Sequence, residues 1–383
     1  MRAAVLADVG RLEVRDVPLV PPGPGEVLLR VAAVGLCGTD FHIFAGHGNY
    51  HTDERGRPIS LSQSPQILGH EFVGIVAEAG SGVLDLVPGD RVVVDQGRNC
   101  VSTGRTPVCE YCATGDSHQC AFYSEHGITG PPGALAEFIT MPAVNAIKVD
   151  PSLPIVDAAL TEPLGCIVHS CDYVGRFESR YRIRDASPNH RVRTILIFGG
   201  GPAGLLFTQY LRAGLGFDGL IIVSDPNPLK RQLAQDVGAT PFDPSSGDLS
   251  EAVHELTEGR RAEYIIDASG AGPIFHDMPR VLRKQGTVLL YGHGHSGVDL
   301  SVLNSLQFLE PLLVSPVGAS GGFEPDGRPT TYRRALGLLE TGRVKVGSFI
   351  THRFSSLDAL PEVFADVWQA PDYVKGVVQL QPE

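Results

Sequence analysis

The sequence predicts two domains of different class, a β-rich unit at the N-terminus followed by an α/β unit built on a parallel sheet. Three observations carry this. The 383 residues exceed what one average core organises. The first 150 residues read as short strand-like segments broken by turns. From Thr194 onward, short apolar runs alternate with stretches of helical spacing.

In the N-terminal half, Glu26–Val34 alternates apolar and polar positions, and Arg91–Asp95 follows the turn Val87-Pro88-Gly89-Asp90. Pro154–Val174 has helical spacing, and Arg176–Arg193 is a polar connector whose arginines read as solvated. Thr194–Phe198, Leu220–Val223, Tyr264–Ile266 and Thr287–Tyr291 are the continuous apolar runs expected of buried parallel strands. A helix over Tyr332–Thr341 and a strand over Lys375–Leu380 end the chain, and this tail is expected to fold back onto the β-rich half. The sequence contains no internal repeat.

Composition excludes several function classes. Hydrophobic residues make up 43% and charged residues 19%, which suits a globular protein and not a disordered or fibrous one. A net charge of -12 opposes binding to nucleic acid, so small molecules are the expected partners. The start of the chain does not read as a signal peptide, and no run approaches the roughly 18 apolar residues that span a bilayer, so a cytoplasmic protein without a membrane partner is expected. Four of the seven cysteines cluster between Cys100 and Cys120, which in a reducing compartment suggests metal ligands before disulfides.

Thr194–Phe198 runs into Gly199-Gly200-Gly201-Pro202-Ala203-Gly204, placing Gly-x-Gly-x-x-Gly at the turn between a strand and a helix. Gly199 permits the turn, Gly201 lets backbone approach a pyrophosphate, and Gly204 allows close helix–strand packing. Pro202 suits the first helical turn, where free N–H groups face the anion. Asp225 stands 21 residues after Gly204 (225 − 204 = 21), at the position that binds the adenosine ribose and repels a 2′-phosphate, which favours NAD. The plainer alternative is a glycine-rich turn without a ligand.

Two groups have metal-ligand chemistry. Cys109 and Cys112 form a two-residue-spaced thiolate pair flanked by Cys100 and Cys120, a set suited to a structural zinc, with disulfides or free thiols as the alternative. Cys37, His70 and Glu162 are dispersed in Cys37-Gly38-Thr39-Asp40-Phe41-His42, Gly69-His70-Glu71 and Thr161-Glu162-Pro163. A cysteine, a histidine and a carboxylate leave the open zinc position that catalysis needs. Taken alone, His70 also fits a structural histidine.

Together these motifs resemble the zinc-containing medium-chain dehydrogenase/reductase family along nearly the whole chain. The resemblance implies a GroES-like catalytic domain over 1–165, completed by 301–383, and an inserted Rossmann domain over 166–300. It places one catalytic zinc on Cys37 and His70, with Glu71 a ligand or exchangeable near-ligand and Glu162 the third ligand directly or through water; Cys166 is a competitor. A second, structural zinc falls to Cys100, Cys109, Cys112 and Cys120. Eight residues between Cys100 and Cys109, where two are usual, weaken Cys100 as a ligand; the loop Gly46–Gln66 and the connector Arg176–Arg193 are longer than usual. Thr39 and His42 match the family's proton relay, and Lys375 a basic partner for the zinc-side carboxylate or pyrophosphate, unless it is a surface lysine; Asp40 is read as orienting a zinc-ligating histidine or a nearby cation. Glu162-Pro163-Leu164 resembles the sorbitol, threonine and glucose dehydrogenase branch. The implied activity is NAD-linked oxidation of a polyol or sugar by a homodimer or homotetramer. The alternatives are a same-fold epimerase or lyase with transient NAD redox and a crystallin-like structural protein.

Overall fold

The computed structural model describes residues 1–382. Its contacts divide the chain into two units, Met1–Cys166 with Gly318–Glu383, and Ile167–Val317. The helix Thr161–Val174 carries the chain from the first to the second. Among the described residues no helix is long and apolar enough to cross a membrane.

The first unit is organised by the strand Glu26–Leu36. It pairs antiparallel with Glu71–Ala79, Phe138–Pro142 and the C-terminal strand Lys375–Gln379 in a seven-stranded sheet. Its side chains do not alternate between core and solvent as the sequence pattern suggests: from Val27 to Leu36 only Arg30 is exposed. Both faces are covered, one of them by the helix Ile155–Ala158, so aliphatic residues fill successive positions. One core gathers Leu29, Val34, Phe72 and Leu135 with Leu360 and Phe364 from the tail. Each such side chain contributes about 1.5–3 kcal/mol on burial, which binds the two ends of the chain into one unit.

The helix Gly38–Phe44 is too short to stand alone and is fixed from both sides. Asp40 Oδ2 accepts from the Cys37 backbone N–H at 2.9 Å, closing the helix start. Phe41 stacks on Trp368 with ring centroids 4.8 Å apart and packs against Phe364 at 5.0 Å. The C-terminal segment thereby sets where Cys37, Thr39 and His42 stand.

The second unit is a six-stranded parallel sheet in the order Thr240–Phe242, Leu220–Ser224, Thr194–Phe198, Ala262–Asp267, Leu282–Leu290, Leu312–Val314. Strand order reverses beside Thr194–Phe198, and in such sheets ligands bind beyond the carboxyl ends of the strands at that reversal. The strand Leu312–Val314 pairs with Leu282–Leu290, which extends this unit to Val317, past the boundary near Leu300 expected from sequence. The connector Arg176–Arg193 runs over the surface. Its arginines are solvated as expected, Arg176, Arg180, Arg182, Arg184 and Arg193 all being exposed, and some also hold surface contacts, with Arg191 on Asp218 at 2.6 Å and Arg193 on the Pro188 carbonyl at 3.2 Å.

Candidate metal centres and dinucleotide site

The thiols of Cys100, Cys109, Cys112 and Cys120 lie within 4.8 Å of one another. Cys109 and Cys112 come from the start and first turn of the helix Glu110–Ala113, and Cys120 ends the 3-10 turn Ser117–Gln119. The eight-residue spacing does not displace Cys100, because the Asn99 side chain folds the chain back. Its Oδ1 accepts from Val101 N at 2.9 Å and Ser102 N at 3.1 Å. Cys100 and Cys120 sulfurs are 3.7 Å apart, and Cys109 and Cys120 3.8 Å. Zinc–sulfur bonds of about 2.3 Å in a tetrahedron put sulfurs about 3.8 Å apart, whereas a disulfide needs about 2.05 Å. The four residues fit zinc, and all are free thiols. Backbone N–H groups of Cys112 and Ala121 bring the Cys109 thiol down to about 6, and burial raises Cys112 and Cys120.

Cys37, His70 and Glu71 form the second group, with ligand atoms within 4.8 Å. Thr39 Oγ1 is 3.7 Å from Cys37 Sγ. Asp40, fully buried, accepts from Gly69 N at 3.1 Å and faces His70 Nδ1 at 3.5 Å, so it orients both the loop and the imidazole. Burial alone would depress the His70 imidazole, but Asp40 and Cys37 outweigh it and hold it well above its ordinary value. His42 is half-buried on the Cys37 helix, its ring 6.0 Å from that of His47.

Lys375 is not a surface lysine. It is 3% exposed, with Nζ 2.8 Å from Glu71 Oε1 and 2.6 Å from Oε2. The pair spans a whole strand. Lys375 belongs to Lys375–Gln379, Glu71 to Glu71–Ala79, and Gly35 of the strand between them is paired with Glu71. A Cβ on Gly35 would collide with the Glu71 carboxylate. Burial opposes the lysine's charge, but Glu71 outweighs it and keeps Lys375 above the usual lysine value.

Glu162 stands in the first turn of Thr161–Val174 and is 6% exposed. Its Oε1 accepts from Gln96 Nε2 at 3.1 Å and from the Cys166 thiol at 3.1 Å. Burial pushes its carboxyl up to about 7, with His70 pulling it down and Glu71 adding to the rise. Cys166 thus points at the carboxylate, and burial holds its thiol well above the ordinary value. The Gly46–Gln66 segment is a built turn: Thr52 bridges to Pro58, and Asp53 accepts from Arg55 N and Arg57 N at 2.9 and 3.0 Å. Tyr50 sits at its root, its phenol raised by burial and by Cys37.

In the second unit, Gly199 has φ 98°, and a Cβ on Gly204 would collide with the Gly199 carbonyl, so both positions require glycine. Gly201 meets no protein atom where a Cβ would stand, and it precedes the helix Pro202–Gln209, in which Ala203 follows Pro202. Asp225 Oδ2 accepts from Gly200 N at 2.7 Å and Oδ1 from Asn227 N at 2.8 Å, which draws this carboxylate onto the glycine turn. Arg231 is held by Asp243 at 2.7 Å and by the Asp225 and Pro226 carbonyls.

Sequence reasoning missed Gln96 and Tyr50, since a lone glutamine after a strand and a tyrosine in a long loop carry no motif. The pairing of Lys375 with Glu71 joins residues 304 positions apart, which no local pattern records.

Comparison with known proteins agrees with this geometry. Residues 23–151 match the alcohol dehydrogenase GroES-like domain, and residues 202–341 the zinc-binding dehydrogenase domain. L-threonine 3-dehydrogenase of Pyrococcus abyssi is 31% identical over 353 residues, 92% of this chain and 90% of that one. A protein of Emericella nidulans named "Probable D-xylulose reductase A" is 29% identical over 369 residues, 95% of this chain and 92% of that one. A structure from Sinorhizobium meliloti 1021 named "putative zinc-binding dehydrogenase", with NADP bound, superposes with a TM-score of 0.80 at 31% identity, over 99% of this chain and 98% of that one. The chain belongs to the zinc-dependent medium-chain dehydrogenase family and is a nicotinamide-linked alcohol or polyol oxidoreductase.

Proposed function

We propose that the protein oxidises a secondary hydroxyl of a polyol or sugar with NAD, using a catalytic zinc on Cys37, His70 and Glu162 and a structural zinc on Cys100, Cys109, Cys112 and Cys120. The convergence of Cys37, His70 and Glu71 within 4.8 Å is the observation that supports a metal there most, and Glu162, outside that group, is buried with its carboxyl pulled down by His70. Zinc, when bound, supplies Lewis-acid polarisation of the substrate hydroxyl and lowers its pKa. Thr39 Oγ1 receives the hydroxyl proton, and His42, further along the same helix, passes it outward. Lys375 holds the Glu71 charge, which makes Glu71 an exchangeable neighbour of the metal and leaves Glu162 as third ligand. Gly199, Gly201 and Gly204, with the N-terminus of Pro202–Gln209, hold the cofactor pyrophosphate.

A second copy of the chain is the proposed protein partner. The strand Leu312–Val314 is the last of its sheet, and Leu300, Leu303, Phe308, Leu313 and Val317, in or near it along the chain, are exposed. Seven cysteines, four of them gathered as one candidate metal group, suit a reducing compartment such as the cytoplasm.

Although the Sinorhizobium meliloti structure carries NADP, Asp225 here repels a 2′-phosphate and Arg231 is engaged elsewhere. The ratio of kcat/KM for NAD to that for NADP is therefore expected to exceed about 10; a preference for NADP sinks the assignment. Sorbitol-like polyols or aldoses should be oxidised with kcat/KM roughly 100-fold above ethanol or benzyl alcohol, since polar groups left unpaired penalise substrates that lack partner hydroxyls. Better turnover of simple primary alcohols would overturn the polyol reading.

The two cysteine groups separate by mutation. Cys109→Ser should lower the melting temperature by about 5 °C or more, with activity per folded molecule largely kept, because a structural metal is coupled to folding. Cys37→Ser should keep the melting temperature within about 2 °C and cut kcat/KM by about 100-fold or more. The reverse pattern would exchange the roles of the two sites.

A further inference from the structure

We propose that Gln96 is a positioning residue of the catalytic metal site, clamping Glu162 through Oε1 so that Oε2 is the oxygen offered to zinc; this rests on the reading of Glu162 as a ligand. Gln96 follows the strand Arg91–Val94 and is 1% exposed. Its two amide N–H groups are both used, on Glu125 Oε1 at 2.8 Å and Glu162 Oε1 at 3.1 Å. Its carbonyl accepts from the hydroxyl of Tyr332, which is fully buried. The opposite amide orientation is disfavoured, because it would set the carbonyl oxygen against two carboxylates.

The backbone beneath Gln96 is held as tightly. Asn145 Nδ2 donates to the Asp95 and Gly97 carbonyls at 2.7 Å each, and His126 N donates to the Gln96 carbonyl at 3.0 Å. Gln96 therefore presents a fixed donor pair rather than a flexible chain. Cys166, one helical turn after Glu162, supplies the second donor to the same oxygen at 3.1 Å. Among the described residues, Glu162 Oε2 receives no hydrogen bond. The arrangement selects monodentate ligation, and the neutral amide keeps Glu125 and Glu162 from facing each other as bare charges.

Only donors of the right length reach both acids. Gln96→Asn is one methylene short, Gln96→Glu replaces the donors with a third acid, and Tyr332→Phe leaves both amide contacts in place. Zinc affinity of each full-length variant, measured by competition with a chromophoric chelator, should fall about 10-fold or more at one of two sites in the Gln96 variants. It should stay within about 3-fold in Tyr332→Phe. Cobalt substituted at the weakened site should show an altered visible spectrum, which a purely structural role would not produce. Unchanged affinity and spectrum in folded Gln96→Asn would overturn the proposal, as would parallel weakening of both zinc sites. Equal zinc uptake by wild-type protein and Cys37→Ser would overturn the underlying site reading itself, a result distinguishable from the other two.

Discussion

Burying negative charge is the constraint on which the first unit depends. Asp40, Glu71, Asp95 and Glu162 are 0%, 1%, 1% and 6% exposed, and a buried carboxylate without partners costs several kcal/mol. Each is met differently. Asp40 takes backbone N–H groups of Cys37 and Gly69 and faces His70. Glu71 takes Lys375, and Asp95 takes His118 at 3.0 Å with Gly97 N at 2.8 Å. Glu162 takes two neutral donors, Gln96 and Cys166, and among the described residues no cationic side chain pairs with it.

Much of the sheet exists to make these meetings possible. Lys375 and Glu71 belong to strands separated by Glu26–Leu36, and they touch because position 35 has no side chain. The tail that delivers Lys375 also delivers Phe364 and Trp368, which fix Phe41 and with it the Cys37 helix. Loss of the tail's packing would thus disturb both the charge balance and the ligand geometry. The four-cysteine lobe is joined to the same unit by His118, whose imidazole bridges Asp95 and the Ala319 N–H.

The site was legible in the sequence where function is carried by local chain geometry. Gly199, Gly201 and Gly204 sit at a strand-to-helix turn, and Asp225 lies at the end of the next strand, so spacing alone exposes them. The cysteines of the lobe are close in sequence for the same reason. The strand Leu312–Val314 escaped because three residues carry too little periodicity to mark an edge strand. Lys375 was legible as a carboxylate partner only through the family resemblance, whereas the burial of Glu26–Leu36 on both faces, the need for glycine at position 35 and the contacts of Gln96 escaped because each depends on residues brought together from distant parts of the chain.

The central claim is that one chain holds two zinc ions in chemically different shells, one of four sulfurs and one of sulfur with nitrogen and oxygen. Zinc-edge X-ray absorption on metal-quantified, full-length protein tests it most directly. The account predicts two zinc ions per chain and a sulfur-dominated average shell with a distinct nitrogen and oxygen component that disappears in Cys37→Ser while a pure sulfur shell near 2.3 Å remains. A single zinc with a pure sulfur shell in the wild-type protein would contradict it.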